Sequence, residues 1–399
     1  MRLLVDWRRI KEERGATLVL VAVSLVGLLG SAGLAIDLGR GYVTKIRLSR
    51  AVDAAVIAGA SAFRSGLATA LQHAEAVAAL NGVVDGENGL SFSLVFGINA
   101  EGENTVSGSA SRSIPTTFMR ILGQNQLQIS TLAVAAVPPV DLALVIDQSY
   151  SLAQNNAWDD LQAAASEFVS KFSDLLDMVG LSSFHARAVD RVPVDMPFQV
   201  AITSEIGNMN SAGYTNTGEG LRTGFEQMQN APLRQRSTKV VVFFTDGRPT
   251  AIRGLFDGVD RVIVVPGDLS ATTVSGYYNY STLVTDPSPP VQRPFNGCDN
   301  VSQCFGLTEN TVRKQARQNG MDQANQIRSA GYILYTIALG NPGGGAPPPD
   351  LDYLRILANE DGVADPNQPK GRMFFAPTSA ELSKVFDLVA QDLLVRLAL

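Results

Sequence analysis

The stretch from Gly15 to Ile36, GATLVLVAVSLVGLLGSAGLAI, contains no charged side chain. A helix of about 20 apolar residues spans the hydrocarbon core of a bilayer. In lipid the backbone must also satisfy its own hydrogen bonds. The run therefore predicts a transmembrane helix over 15–36. Arg8, Arg9, Lys11 and Arg14 precede it, which favours residues 1–14 as a cytoplasmic N-terminus. Arg40, Lys45, Arg47 and Arg50 follow it and weaken that asymmetry. A cleaved signal, with small residues before Ile36 as its processing site, is the alternative, but the apolar run exceeds a usual signal core. Gly27, Gly30 and Gly33 recur every three residues. They either admit a second copy of the helix, giving a homo-oligomer, or reflect ordinary glycine usage in membrane helices.

The remainder of the 399 residues exceeds one typical core, so two or three folded units are expected. With 45% hydrophobic and 18% charged residues the chain is globular and not disordered. A net charge of −6 argues against a nucleic-acid surface, which needs a basic stripe. The two histidines, His73 and His185, leave little material for histidine metal sites or Ser-His-Asp triads. Cys298 and Cys304 lie in NGCDNVSQCFG, a spacing suited to a small disulfide-closed loop, with two free thiols as the other reading. A disulfide would place this part of the chain in an oxidising compartment, outside the cytoplasm.

Residues 37–136 read as a membrane-proximal α+β module. Leu38, Tyr42, Ile46, Leu48, Val52, Val56 and Ile57 recur at roughly helical spacing after the span. A second helix over 66–82 ends at Asn81-Gly82. Strand-like runs follow near 90–98, 104–115 and 127–137, with PTTFMRILG between two of them as a short helix. VPPVD at 137–141 reads as a linker. The N-terminal segment, through Arg14-Gly15, the apolar span, Asp37 to Arg40 and the alanine-rich Asp53 to Ala60, resembles TadG-like Flp pilus-assembly proteins. That resemblance implies a single-pass anchor in the inner membrane of a bacterial envelope, with the C-terminal part periplasmic or extracellular.

Over 142–399 apolar strands alternate with amphipathic helices, as in LALVID, KVVVFFTDG and YILYTIALG. Such alternation predicts an α/β fold, a doubly wound and mostly parallel sheet covered on both faces. DMVGLSSF and PFQVAIT are further strand candidates. Thr378 and Glu381 are spaced as a capping box for a last helix, whose buried stripe is Leu382, Val385, Phe386, Val389 and Leu393. Ligands of such sheets sit at the C-terminal strand ends. Asp147 and Asp246 stand at two of them, and SAGYTNTGEG offers Thr215 and Thr217 before a helix. With Ser149 and Ser151 these are hard oxygen donors, suited to Mg²⁺, Ca²⁺ or Mn²⁺.

The order DQSYS, GYTNTG, FFTDGRP resembles the von Willebrand factor type A domain with its metal-ion-dependent adhesion site. The resemblance implies a Rossmann-like fold and a divalent cation held by Asp147, Ser149, Ser151, Thr215 and Asp246, with Thr217 as second choice for the threonine. It further implies Ser149, Ser151 and Thr215 as direct ligands and Asp147 and Asp246 acting through water. One position on the cation would stay open for an Asp or Glu carboxylate of a protein ligand or pilus component. The function expected is binding and not catalysis, since a histidine base, a second metal cluster and a nucleophile elbow are missing. An accessory role beside an ATPase, or a scaffold with a structural metal, is the alternative. An insertion at about 250–310 follows Asp246, and long inserts beside a site often set specificity. Its Tyr277, Tyr278 and Tyr280 are expected either as exposed partner contacts or as a tyrosine edge strand.

Overall fold

One helix, α1 (Trp7–Ala62), carries the apolar run and continues well beyond it in the computed structural model. The described residues are 7–99, 103–211, 213–256, 258–265, 276–282, 308–340 and 348–396. Among them α1 is the one helix long and apolar enough to cross a bilayer. Leu18, Val21, Leu25 and Leu28 on it are exposed, as a lipid-facing surface requires. The chain forms two units, Met1–Val137 and Pro138–Leu399.

In the first unit, α1 past Ile36 buries one stripe that includes Asp37, Gly41, Leu48, Val52, Val56 and Gly59. The spacing of three to four residues keeps these positions on one face. Small residues dominate because neighbours come close. A Cβ on Gly59 would lie 3.2 Å from both Ala74 Cβ and Val106 Cγ1. Ala74 belongs to α2 (Leu67–Leu80), which buries Ala70, Ala74 and Ala78. Val106 belongs to an antiparallel sheet of β1 (Leu90–Ile98), β2 (Asn104–Pro115) and β3 (Gln126–Val137), in that order. PTTFMRILG forms a 3-10 turn, Met119–Leu122, between β2 and β3 instead of a regular helix. Phe118 fills the notch at Gly33, where a Cβ would sit 2.5 Å from its Cγ. Gly33 therefore serves packing within the chain and is lost to any helix-pairing stripe, whereas Gly27 and Gly30 face open space.

The second unit is built on a six-stranded sheet in the order β12-β11-β7-β4-β5-β6. Its strands are β4 (Val140–Asp147), β5 (Met178–Phe184), β6 (Ala188–Asp195), β7 (Thr238–Thr245), β11 (Ile333–Leu339) and β12 (Met373–Ala376). All neighbours are parallel except β6. A short helix, α3 (Tyr150–Gln154), follows β4, and both faces of the sheet are covered. Leu142, Leu144 and Ile146 of β4 pack beneath α4 (Trp158–Ser170), α5 (Gln199–Asn208) and α9 (Leu382–Arg396) through Phe168, Ile202 and Phe386. Ala143 and Val145 face α6 (Thr217–Asn230), α7 (Glu309–Ser329) and α8 (Leu351–Ala358) through Leu221, Ile327 and Tyr353. Alternate residues of one strand thus feed two cores, which explains why the strands are apolar without interruption.

Two further local expectations are corrected. PFQVAIT is not a strand but leads into α5, because Phe198, Ile202 and Ile206 bury every fourth residue. The strand paired with β5 is instead β6, an edge strand whose Pro193 is tolerated there because an edge leaves one side of the ladder unpaired. Thr378 forms no side-chain cap. A 3-10 turn, Ser379–Glu381, intervenes before α9, and Ser379 Oγ donates to Asp160. The buried stripe of α9 does include Leu382, Val385, Phe386, Val389 and Leu393.

After β7 the chain builds a small antiparallel sheet of β8 (Ala251–Phe256), β9 (Val259–Val264) and β10 (Gly276–Asn279). Tyr278 on β10 is 6% exposed and packs with Ala186, Val262 and Val264. The expectation of an exposed Tyr278 is therefore wrong, since an edge strand with one covered face turns alternate side chains inward. Tyr280 is half-buried under the guanidinium of Arg253, 3.6 Å from the ring centre. The Tyr277 side chain, Cys298 and Cys304 lie outside the described residues.

Candidate metal centre

Asp147 ends β4 and Asp246 follows β7, so adjacent parallel strands deliver both carboxylates to one rim. Asp147 is fully buried. Its Oδ1 accepts from the Ser149 backbone N–H at 2.8 Å and its Oδ2 from Thr245 Oγ1 at 2.5 Å. The chain then turns so that Ser149 Oγ and Ser151 Oγ stand 3.1 Å apart. Ser151 Oγ donates to Asp246 Oδ1 at 2.7 Å, and Ser149 Oγ reaches the same oxygen at 3.4 Å. The turn is held from outside. Ser211 Oγ donates to the Ser149 carbonyl at 2.7 Å, and the Tyr150 N–H donates to the Gly213 carbonyl at 3.2 Å.

The threonine comes from the loop before α6. The Thr215 N–H donates to Thr250 Oγ1 at 2.9 Å, and the Thr250 N–H returns a bond to the Thr215 carbonyl at 2.8 Å. A Cβ on Gly247 would lie 3.2 Å from Thr215 Oγ1 and 4.0 Å from Ser151 Oγ. Thr215 thus faces Ser151 across Gly247. Thr217 starts α6 and turns elsewhere, its Cγ2 set against Gly320 of α7. The helix is drawn to this rim by close contact with the sheet. A Cβ on Gly220 would fall 2.6 Å from Phe184, and one on Gly224 would fall 2.5 Å from Val145.

The electrostatics of the cluster are unfavourable for the protein alone. Burial pushes the Asp147 carboxyl up, and the Asp246 charge pushes it further, to about 8, against the hydrogen bonds from Thr245 and Ser149. Burial pushes Asp246 up to about 6 despite donors on Ser151, Ser149 and Asn155. Asp246 Oδ2 is buried with no hydrogen-bond partner. Two buried carboxylates, three hydroxyls and one unpartnered carboxylate oxygen fit a hard divalent cation. Among the described residues no three His, Cys, Asp or Glu side chains converge anywhere, so a cation here would depend on hydroxyl ligands.

The cluster opens to the surface through a depression of about 160 Å³, whose wall includes Tyr150, Gln154, Tyr214 and Arg248. Tyr150 is 42% exposed. Arg248 donates to the Pro348 carbonyl at 3.0 Å, which fixes a positive charge at the rim. Thr245, Ser211, Tyr150 and Arg248 join the rim beyond the ligands expected from the sequence. Thr245 and Arg248 flank Asp246 and could have been found from that proximity, whereas Ser211 carries no signal of its own.

A doubly wound sheet with this rim defines a von Willebrand factor type A domain, and the model of that family matches residues 142–248. The model of the Flp pilus-assembly TadE/G-like family matches residues 15–62. The chain therefore carries a TadE/G-like N-terminal segment followed by a von Willebrand factor type A domain. No curated protein matches it. Among solved structures, the PilB minor pilin from Streptococcus sanguinis is 18% identical, with 79% of this chain and 80% of that chain covered and a TM-score of 0.42. The vWF domain of the type V pili tip protein Mfa5 from Porphyromonas gingivalis is 17% identical over 65% of this chain and 96% of that chain, with a TM-score of 0.43. Proximal thread matrix protein 1 from the mussel byssus, in a form with a zinc-occupied MIDAS motif, is 15% identical with a TM-score of 0.39. There 64% of this chain is covered, and this chain spans 46% of the mussel protein.

Proposed function

We propose that this chain is a membrane-anchored, extracytoplasmic binding protein of Flp (tight adherence) pilus assembly, whose type A domain takes a partner carboxylate through a divalent cation. The observation that carries the reading is the convergence of Asp147, Ser149, Ser151, Thr215 and Asp246 at one strand rim, with Asp246 Oδ2 left without a donor. Ser149, Ser151 and Thr215 would hold the cation directly, and Asp147 and Asp246 would hold it through water. The bound cation would supply a Lewis-acidic position for an Asp or Glu of the partner. Neutral hydroxyl ligands leave that position electron-poor, so it binds a carboxylate strongly. Arg248 adds positive potential at the opening, and Tyr150 offers an aromatic contact surface there.

The anchor reading rests on α1 and the TadE/G-like match to residues 15–62. Binding, and not turnover, is supported by a site that holds no histidine within its set of ligands. The test is binding of the full chain to purified Flp pilus or envelope components, with Mg²⁺ and after chelation. Binding that disappears with chelation and with Asp147→Ala supports the reading. Binding unchanged by both refutes the cation-mediated mode.

A further inference from the structure

The sheet of the first unit lies along α1 and descends it in register. Gly108 of β2 meets Val52 and Val56, Leu127 and Ile129 of β3 meet Gly41, and Phe118 at the connecting tip meets Gly33. Gly33 is three residues inside the apolar run that ends at Ile36, or about 4.5 Å along the helix axis. The β2–β3 tip therefore reaches the depth at which the span begins.

The tip is fixed there. The Asp37 carboxylate accepts from the N–H groups of Thr117 at 3.0 Å, Phe118 at 2.7 Å and Met119 at 2.8 Å. Arg40 Nη1 donates to Thr117 Oγ1 at 3.1 Å. Asp37 and Arg40 are one turn apart on α1, so the helix itself sets the height of the tip. Yet the tip exposes its largest apolar side chains. Ile121 is 79% exposed, Leu122 73% and Phe118 39%. Water gives no reason to hold three such residues at a rigid turn. A bilayer boundary does, because apolar groups enter the acyl region there while Arg and Lys stay among the phosphates. Arg40 and Arg120 are exposed at the same level.

We propose that residues 117–122 form a second membrane contact, with Ile121 and Leu122 seated in the headgroup–acyl boundary beside α1 and with Arg40 and Arg120 against lipid phosphates. This rests on α1 being the anchor and adds a footprint to it. A lone helix can rotate and tilt freely, whereas a helix with a rigid apolar foot at one side holds one orientation. Continuity of the tip with the span selects lipid as the occupant over a second copy of the chain.

The test uses the full chain in liposomes, in a Cys298→Ser, Cys304→Ser background, with an environment-sensitive fluorophore on a single introduced cysteine. Ile121→Cys probes the tip and Leu25→Cys the span. Ile98→Cys is a control of similar exposure (71%) at the far end of the sheet. Nitroxide lipids labelled near the headgroup should quench the label at position 121 several-fold more than at 98, while deep nitroxides quench the label at 25. Quenching at 25 without quenching at 121 overturns this contact and leaves the anchor standing. A blue-shifted label at 121 that lipid nitroxides do not reach shows a protein occupant and also overturns it. No quenching at 25 overturns the anchor and this contact together.

Discussion

Loading a cation into the rim must expel a proton, and the number expelled follows from the two carboxyls. Without metal the pair titrates at values pushed up to about 8 for Asp147 and about 6 for Asp246. At pH 7 a buried pair raised this far shares about one proton between its two carboxyls. A carboxylate set around a cation holds none, so binding at pH 7 releases about one proton per Mg²⁺ or Mn²⁺. The sign follows from competition: acid stabilises the unloaded form and weakens binding. Apparent affinity should fall roughly tenfold per pH unit between 8 and 6, and more steeply below 6, where a second proton competes. The assay is calorimetric titration of chelator-stripped full chain in nanodiscs, in buffers of different ionisation enthalpy. The dependence of observed heat on buffer gives the proton count. Asp147→Asn removes one of the two carboxyls that share the proton and should reduce the release. Affinity that is flat from pH 6 to 8, with heats independent of buffer, would refute the assignment of these two carboxyls to the site.

The remaining predictions concern ligand identity and stability. Thr215→Ala should cost at least the roughly tenfold in cation affinity that follows loss of an outer-shell partner, while Thr217→Ala should leave affinity unchanged, both read in the same titration. Unfolded carboxyls ionise near pH 3.9, roughly, and the folded pair only at about 6 and about 8, so the metal-free chain should lose stability as pH rises through that window; a saturating cation should remove the loss in urea unfolding. Asp141 is fully buried and paired with Arg234, and Arg234→Ala leaves that carboxylate without its cation, at a cost of about 3–5 kcal/mol read as a lower urea midpoint. Gly224→Ala places a Cβ 2.5 Å from Val145 and should cost about 1–3 kcal/mol by the same measurement.

The α/β class and the rim were legible because strand, turn and donor coincide in sequence. LALVID is a strand fed by two cores, and Asp147 is its last residue. The choice between Thr215 and Thr217 was not legible, because two residues apart on a loop entering a helix the side chains diverge. Only the positions of Gly247 and Gly320 separate them. PFQVAIT misled because a short apolar run has no clear period, and the helical spacing appears only when Ile206 is included. For Tyr278 the edge-strand alternative holds and the exposed one does not, because its pairing with Val262 places the side chain over a small core. The docking of Phe118 on Gly33 is a contact between residues 85 positions apart, and no local pattern announces it.

The most direct measurement is anomalous diffraction from crystals of the full chain soaked in Mn²⁺. The account predicts a single strong peak at the rim, with Ser149 Oγ, Ser151 Oγ and Thr215 Oγ1 roughly 2.1–2.4 Å from it and one position turned toward Tyr150 and Arg248 without a protein ligand. A rim with no peak at saturating Mn²⁺, or a cation whose every position is filled from within this chain, would contradict it.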